Sequence, residues 1–222
     1  MTRADAKGAA RYLPEDRTLR SLQDAARSCR GCALYEEATQ TVFGHGDSDA
    51  RIMLVGEQPG DKEDDEGLPF VGPAGRLLRR ALDDASIDPR LTYQTNVVKH
   101  FKFKRVGKRR IHQKPGRTEV VACQPWLIAE IAAVRPRLIV CLGATAAQCL
   151  LGRTFRVTAH RGQLLQLPEA LHVNLEPEPL VTATLHPSAL LRDRSDRRAA
   201  NYTLFVEDLH DAAARLDLQS SG

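Results

Sequence analysis

The sequence predicts an α/β protein, a three-layer α/β/α sandwich around a central four-stranded, mainly parallel sheet. Three observations lead there. Strand-like and helix-like segments alternate four times along the chain. The strand-like runs are short and apolar at successive positions, so both faces of the sheet are expected to be covered by helices. Finally, 222 residues, 42% of them hydrophobic, suffice for one domain with a sizeable core.

Residues 1–17 are polar and read as a flexible N-terminal leader, with a single domain over 18–222. Residues 18–28 place Leu19, Leu22, Ala25 and Ala26 at helical spacing. Residues 51–56 form a buried strand that runs into Glu57-Gln-Pro-Gly60. Residues 73–85 read as a helix, with Pro73 in the first turn and Leu77, Leu78, Ala81 and Leu82 on one face. A second strand spans 91–98, and a long helix spans 118–134 before Pro136. A third strand at 138–142 is followed by Gly143 and a helix over 144–151; residues 160–167 form a short excursion or an edge strand. A fourth strand at 180–185 ends in His186-Pro-Ser188, and an amphipathic helix covers 196–216. In open parallel sheets ligands bind beyond the carboxyl ends of the strands. Three of the four segments at those ends are polar and unusual for plain loops, which marks them as the active site.

No apolar run approaches the ~18–20 residues that cross a bilayer, and the first residues are too polar for a signal peptide. A cytoplasmic protein with no membrane partner is expected. No heptads appear, so a monomer is the default. Net charge is +4, but its distribution matters more. Residues 99–117 carry nine Lys or Arg and no acid, whereas 57–66 carry six acids and one Lys. The basic stretch suits a polyanion such as nucleic acid; the alternative is a solvated loop. The acidic run at 61–66 would repel DNA if it lined the groove and is placed on the rim, with a chemical role left open for Asp61 alone.

Five cysteines without an export signal argue against a disulfide framework. Cys141 and Cys149 sit among apolar residues and read as small hydrophobes. Cys29 and Cys32 form a Cys-x-x-Cys pair after a short helix, which suits a metal or redox centre.

Four motifs in order, Gly56-Glu-Gln-Pro-Gly60, Gly67-Leu-Pro-Phe-Val-Gly-Pro-Ala-Gly75, Thr95-Asn-Val-Val-Lys99 and His186-Pro-Ser-Ala-Leu-Leu-Arg192, resemble those of the uracil-DNA glycosylase superfamily. The resemblance is greatest to its iron–sulfur branch, family 4. Within it, Lys108-Arg-Arg-Ile-His112 resembles the inserted loop of UdgX-type proteins. This implies the uracil-DNA glycosylase fold and excision of uracil from DNA, with single strands preferred because an unpaired base is easier to flip out.

Excision breaks the bond from deoxyribose C1′ to uracil N1, with negative charge growing on the base and positive charge on the sugar. Phe70 offers a face on which uracil stacks, or else is a core aromatic. Asn96 carries the donor and acceptor that match uracil O4 and N3–H and reject cytosine; the bland alternative is a loop cap. Gly56, Gln58 and Gly60 let backbone N–H groups approach the base oxygens. His186 resembles the family histidine that steadies charge on uracil O2. The UdgX likeness implies that His112 attacks C1′, leaving the protein covalently bound to the abasic sugar after one turnover. Its cationic neighbours Lys104, Arg105, Lys108, Arg109 and Arg110 should keep the ring neutral, and Glu57 is the carboxylate expected on its second nitrogen. Otherwise His112 contacts a phosphate. Lys108, Arg109, Arg110, Lys114 and Arg192 are expected to neutralise DNA phosphates.

Family 4 implies a [4Fe–4S] cluster on four cysteines. Cys29, Cys32 and Cys123 match, whereas His100 stands at the third position; zinc on Cys3His is the rival. A conventional multiple-turnover glycosylase and a non-catalytic sensor of uracil or single-stranded DNA remain as alternative functions.

Overall fold

The computed structural model describes residues 8–171, 173 and 175–219. Residues 1–7 of the expected leader lie outside that range. The remainder of the leader is not loose throughout: Gly8–Tyr12 forms a 3-10 turn with Ala9 buried. Helix α1 (Leu19–Ala26) begins at Thr18, whose hydroxyl accepts from the Ser21 N–H. Strands β1 (His45–Gly46) and β2 (Ile52–Gly56) precede helix α2 (Asp61–Glu66) and helix α3 (Pro73–Asp84). After β3 (Thr92–Asn96) come β4 (Phe103–Val106) and β5 (Arg109–His112), then helix α4 (Arg117–Val134). Strand β6 (Leu138–Leu142), helices α5 (Ala144–Leu151) and α6 (Val157–His160), and β7 (Leu165–Gln166) follow. Strand β8 (Leu180–Thr184), helix α7 (Pro187–Arg192) and helix α8 (Arg198–Gln219) complete the chain.

The main sheet runs β1-β3-β2-β6-β8-β7. Its four inner strands are parallel, as the sequence led one to expect. The sheet nevertheless has six strands rather than four. Two-residue strands β1 and β7 add antiparallel edges; β7 falls within residues 160–167, where an edge strand was one of the two expectations, whereas β1 is too short to leave a periodicity. Alternate residues of β2 and β6 enter opposite cores. Met53, Val55, Ile139 and Cys141 join Trp126, Leu127 and Ile131 of α4. Ile52, Leu54, Leu138, Val140 and Leu142 join Leu78 and Leu82 of α3 and Phe205 and Leu209 of α8. This gives the three-layer sandwich.

Both charged stretches are regular structure. The basic stretch folds into a hairpin, β4 pairing with β5 in the register Phe103↔His112 to Val106↔Arg109. Gly107 turns it with φ 59°. The acidic run forms α2, with its first-turn acids at the favourable end of the helix dipole. Among the described residues, no helix is long and apolar enough to cross a membrane.

The order in which strands are added reverses between β2 and β6: β3 is laid on one side of β2, and the chain then returns to lay β6, also parallel, on the other. A ligand crevice is expected at that point.

Candidate active site

A cavity of about 600 Å³ opens there, lined among others by Glu57, Phe70, Asn96, His112, Thr145 and His186. Gly56 and Asn96 are neighbours across the β2–β3 pair. A Cβ on Gly56 would lie 2.3 Å from Asn96 Oδ1 and 2.8 Å from Phe70 Cζ, so only glycine leaves the amide and the ring where they stand. Phe70 adopts φ 56°, a left-handed conformation costly for an aromatic residue. Its ring lies 28° from parallel to that of His186, with centroids 6.5 Å apart. Asn96 is buried, and its side-chain amide makes no hydrogen bond among the described residues. Beneath it Lys99 donates to Asn96 O at 2.7 Å and pairs with fully buried Glu130. Lys99 is thus a positioning group rather than one of the surface cations of the basic stretch.

His186 caps α7. Its Nδ1 accepts from the Ser188 N–H at 3.1 Å, so the neutral ring carries its proton on Nε2. Burial first, then Arg192 and His112, push its pKa down to about 4. The ring is therefore a neutral donor at physiological pH.

His112 ends β5. The Gln58 amide nitrogen lies 3.0 Å from His112 Nε2 and also donates to Lys102 O and Gln113 O, while Gln58 Oε1 accepts from the Lys102 N–H. An amide nitrogen has no lone pair with which to accept. His112 Nε2 can only accept there, sharing one of the two amide hydrogens with a carbonyl, and its neutral ring then carries its proton on Nδ1. Glu57 Oε1 stands 3.8 Å from the same nitrogen, and Oε2 accepts from the Thr145 hydroxyl. The expected hydrogen bond from Glu57 to the second ring nitrogen is thus not formed; the carboxylate faces Nε2 instead. The His112 pKa is lowered, chiefly by burial and also by Arg192, against the upward pull of Glu57 and Glu63. The neutral ring was expected, but its cause is not the run of preceding cations.

Arg110 explains why. Expected on a phosphate, it is only 13% exposed and binds α2: Nε to Asp61 at 2.5 Å, and its terminal nitrogens to Asp64 and Asp65 at 2.6 Å each. Its guanidinium also lies over Phe101 and Phe103. The acidic run thus anchors the hairpin. Lys108, Arg109, Lys114 and Arg192 are exposed; Lys114 and Arg192 line the cavity mouth. Gly60 departs from expectation, because its N–H is donated to Glu63 at 3.1 Å and is not free for a base. Glu63 also accepts from the Gly72 N–H, tying the two glycine-rich motifs together.

Of the expected cluster ligands, Cys29, His100 and Cys123 are buried and Cys32 is partly exposed. Cys29 and Cys32 both bear electrostatically on Cys123, whose thiol burial pushes up to about 12. The Trp126 indole donates to Cys29 Sγ and the Lys99 N–H to Cys123 Sγ. The Thr41 hydroxyl gives its one hydrogen to Ala26 O, so His100 Nε2 donates to Thr41 Oγ1, leaving Nδ1 with the free lone pair. Among the described residues no three His, Cys, Asp or Glu side chains converge as a single metal ion requires. Three thiols and one imidazole nitrogen are nevertheless ligand types that iron–sulfur clusters take.

Sequence reasoning missed Thr145, Glu63 and Asp64. For Glu63 a signal existed, a carboxylate three residues after Gly60 at a helix start. Thr145 and Asp64 are identified only by their partners.

Two histidines, a carboxylate and an unpaired amide thus line one cavity at the switch point of the sheet, the place where open α/β domains bind their ligands. The model of the uracil DNA glycosylase superfamily matches residues 43–210. The chain is 34% identical over 192 residues to a type-4 uracil-DNA glycosylase of Thermotoga maritima, covering 86% of this chain and 91% of that protein. It is 33% identical over 175 residues to the type-4 enzyme of Pyrobaculum aerophilum, covering 78% and 85%. The corresponding Archaeoglobus fulgidus enzyme is 40% identical over 133 residues, 59% of this chain and 63% of that protein. The chain belongs to the uracil DNA glycosylase superfamily.

Proposed function

We propose that this protein excises uracil from DNA, preferentially single-stranded, and is then trapped on its product through a bond from His112 Nε2 to C1′ of the abasic deoxyribose. Uracil stacks on Phe70 and pairs its O4 and N3–H with Asn96. The C1′–N1 bond breaks with its electron pair leaving on uracil N1, and His186 Nε2–H steadies the charge shared with O2. The His112 Nε2 lone pair then bonds to the cationic C1′. The ring becomes imidazolium beside Glu57 and releases its Nδ1 proton to solvent, while uracil takes a proton from water. Gln58 loses little when Nε2 is withdrawn, because two carbonyls share its donors. Lys108, Arg109, Lys114 and Arg192 contact phosphates; Arg110 does not.

Cys29, Cys32, Cys123 and His100 Nδ1 would hold a [4Fe–4S] cluster, which supplies a structural cross-link, since glycosidic cleavage moves no net electrons. The observation that supports the covalent reading is the placement of His112 Nε2 at the base cavity, 3.0 Å from the Gln58 amide nitrogen, which can only donate, and 3.8 Å from Glu57 Oε1.

A denaturing gel of protein incubated with uracil-containing single-stranded oligonucleotide tests it. A species that survives SDS is expected. Free abasic product in molar excess over protein would favour a multiple-turnover uracil-DNA glycosylase. Unchanged DNA would favour a sensor.

A further inference from the structure

The two oxygens of Glu57 have different surroundings. Oε2 accepts from the Thr145 hydroxyl, and Oε1 is left facing His112 Nε2 at 3.8 Å. Thr145 is 7% exposed and lies in the first turn of α5. It follows β6, the strand paired with β2 across the switch point, so the two strand ends bring hydroxyl and carboxylate together. Neighbouring Gly143, at φ 90°, lets the same turn approach His186: a Cβ there would lie 2.9 Å from His186 Cβ.

We infer that Thr145 is a positioning residue, whose hydroxyl locks the Glu57 carboxylate so that one oxygen stays turned toward the nitrogen where positive charge appears. The inference rests on the roles proposed above for Glu57 and His112. A carboxylate fixed before the reaction stabilises developing charge without having to reorganise. Without the hydroxyl, Oε2 would lose this partner, and the partly exposed side chain would turn outward to water.

Four proteins test this under single-turnover conditions: Thr145→Val, Thr145→Ser, Glu57→Gln and the Glu57→Gln/Thr145→Val double variant. Adduct formation and uracil release are followed separately, with thermal melting to confirm folding. Thr145→Val is expected to slow adduct formation by about 10-fold or more, as loss of a hydrogen bond to a charged group does. Thr145→Ser should stay within about 3-fold of wild type. The double variant should match Glu57→Gln within about 2-fold, because Thr145 acts only through Glu57. Wild-type rates in Thr145→Val, failure of serine to restore them, or fully additive losses in the double variant would each overturn the inference. If the wild-type protein releases uracil but forms no adduct, the covalent reading fails, and the same comparison applied to uracil release decides the role of Thr145. If it does neither, both fall.

Discussion

His112 Nε2 and Glu57 Oε1 face each other at 3.8 Å, close enough for strong attraction once the ring is charged and too far for a hydrogen bond while it is neutral. The carboxylate therefore favours the product of attack more than the resting state. Burial and Arg192 hold the His112 pKa below the ordinary 6.5. Attack needs the lone pair, so adduct formation is lost as pH falls through the folded pKa. Its rate should still exceed half of its plateau at about pH 6.5 and reach the half-point only below that. Glu57→Gln removes an upward pull and should move the fall to still lower pH while cutting the plateau about 10-fold. A midpoint at or above 6.5 in stopped-time gels would contradict this account.

Arg110 fastens the hairpin that carries His112 to α2. Its removal leaves Asp64, fully buried, without its cation. Arg110→Ala should destabilise by about 2–3 kcal/mol, less than for a wholly buried pair because Asp61 and Asp65 are half exposed. That corresponds to about 5–10 °C in melting temperature for a chain of this size. Adduct formation should fall more than uracil release, since Asn96, Phe70 and His186 lie on other elements. Equal losses in both, measured by gel and by free uracil, would argue that Arg110 acts on the base pocket instead.

Gly56→Ala tests the base site. The added methyl would meet Asn96 Oδ1 and Phe70 Cζ. Uracil release should fall at least about 100-fold, with little change in melting temperature. Near-normal release would show that uracil does not occupy the space between these groups.

The donor set of Cys29, Cys32, His100 and Cys123 is tested by elemental analysis and visible absorbance. Iron with equivalent inorganic sulfide and a broad visible band are expected. Cys123→Ser should lose both and melt earlier, because the segment around Cys29 and Cys32 would no longer be tied to α4. One zinc per chain and no colour would establish the rival site.

The parallel core of the fold was legible because β2 and β6 are continuous apolar runs and α3 shows helical spacing from its Pro73 start. The site's location was legible because polar motifs follow those strands. What stayed hidden depends on partners distant in the chain. Nothing local distinguishes Arg110, which reaches α2, from Arg109, which is exposed. The acids of α2 read as a repulsive rim because their cation comes from a hairpin that had itself been read as a loop. Gly107 between Val106 and Lys108 was the available hairpin signal. Thr145 is one of many threonines until β6 is laid beside β2.

The most direct test is the mass of the denatured protein after reaction with a uracil-containing oligonucleotide, followed by nuclease and protease digestion. The account predicts a deoxyribose-bearing remnant on the peptide that contains His112, absent from His112→Ser. An unchanged polypeptide mass alongside released uracil would contradict it.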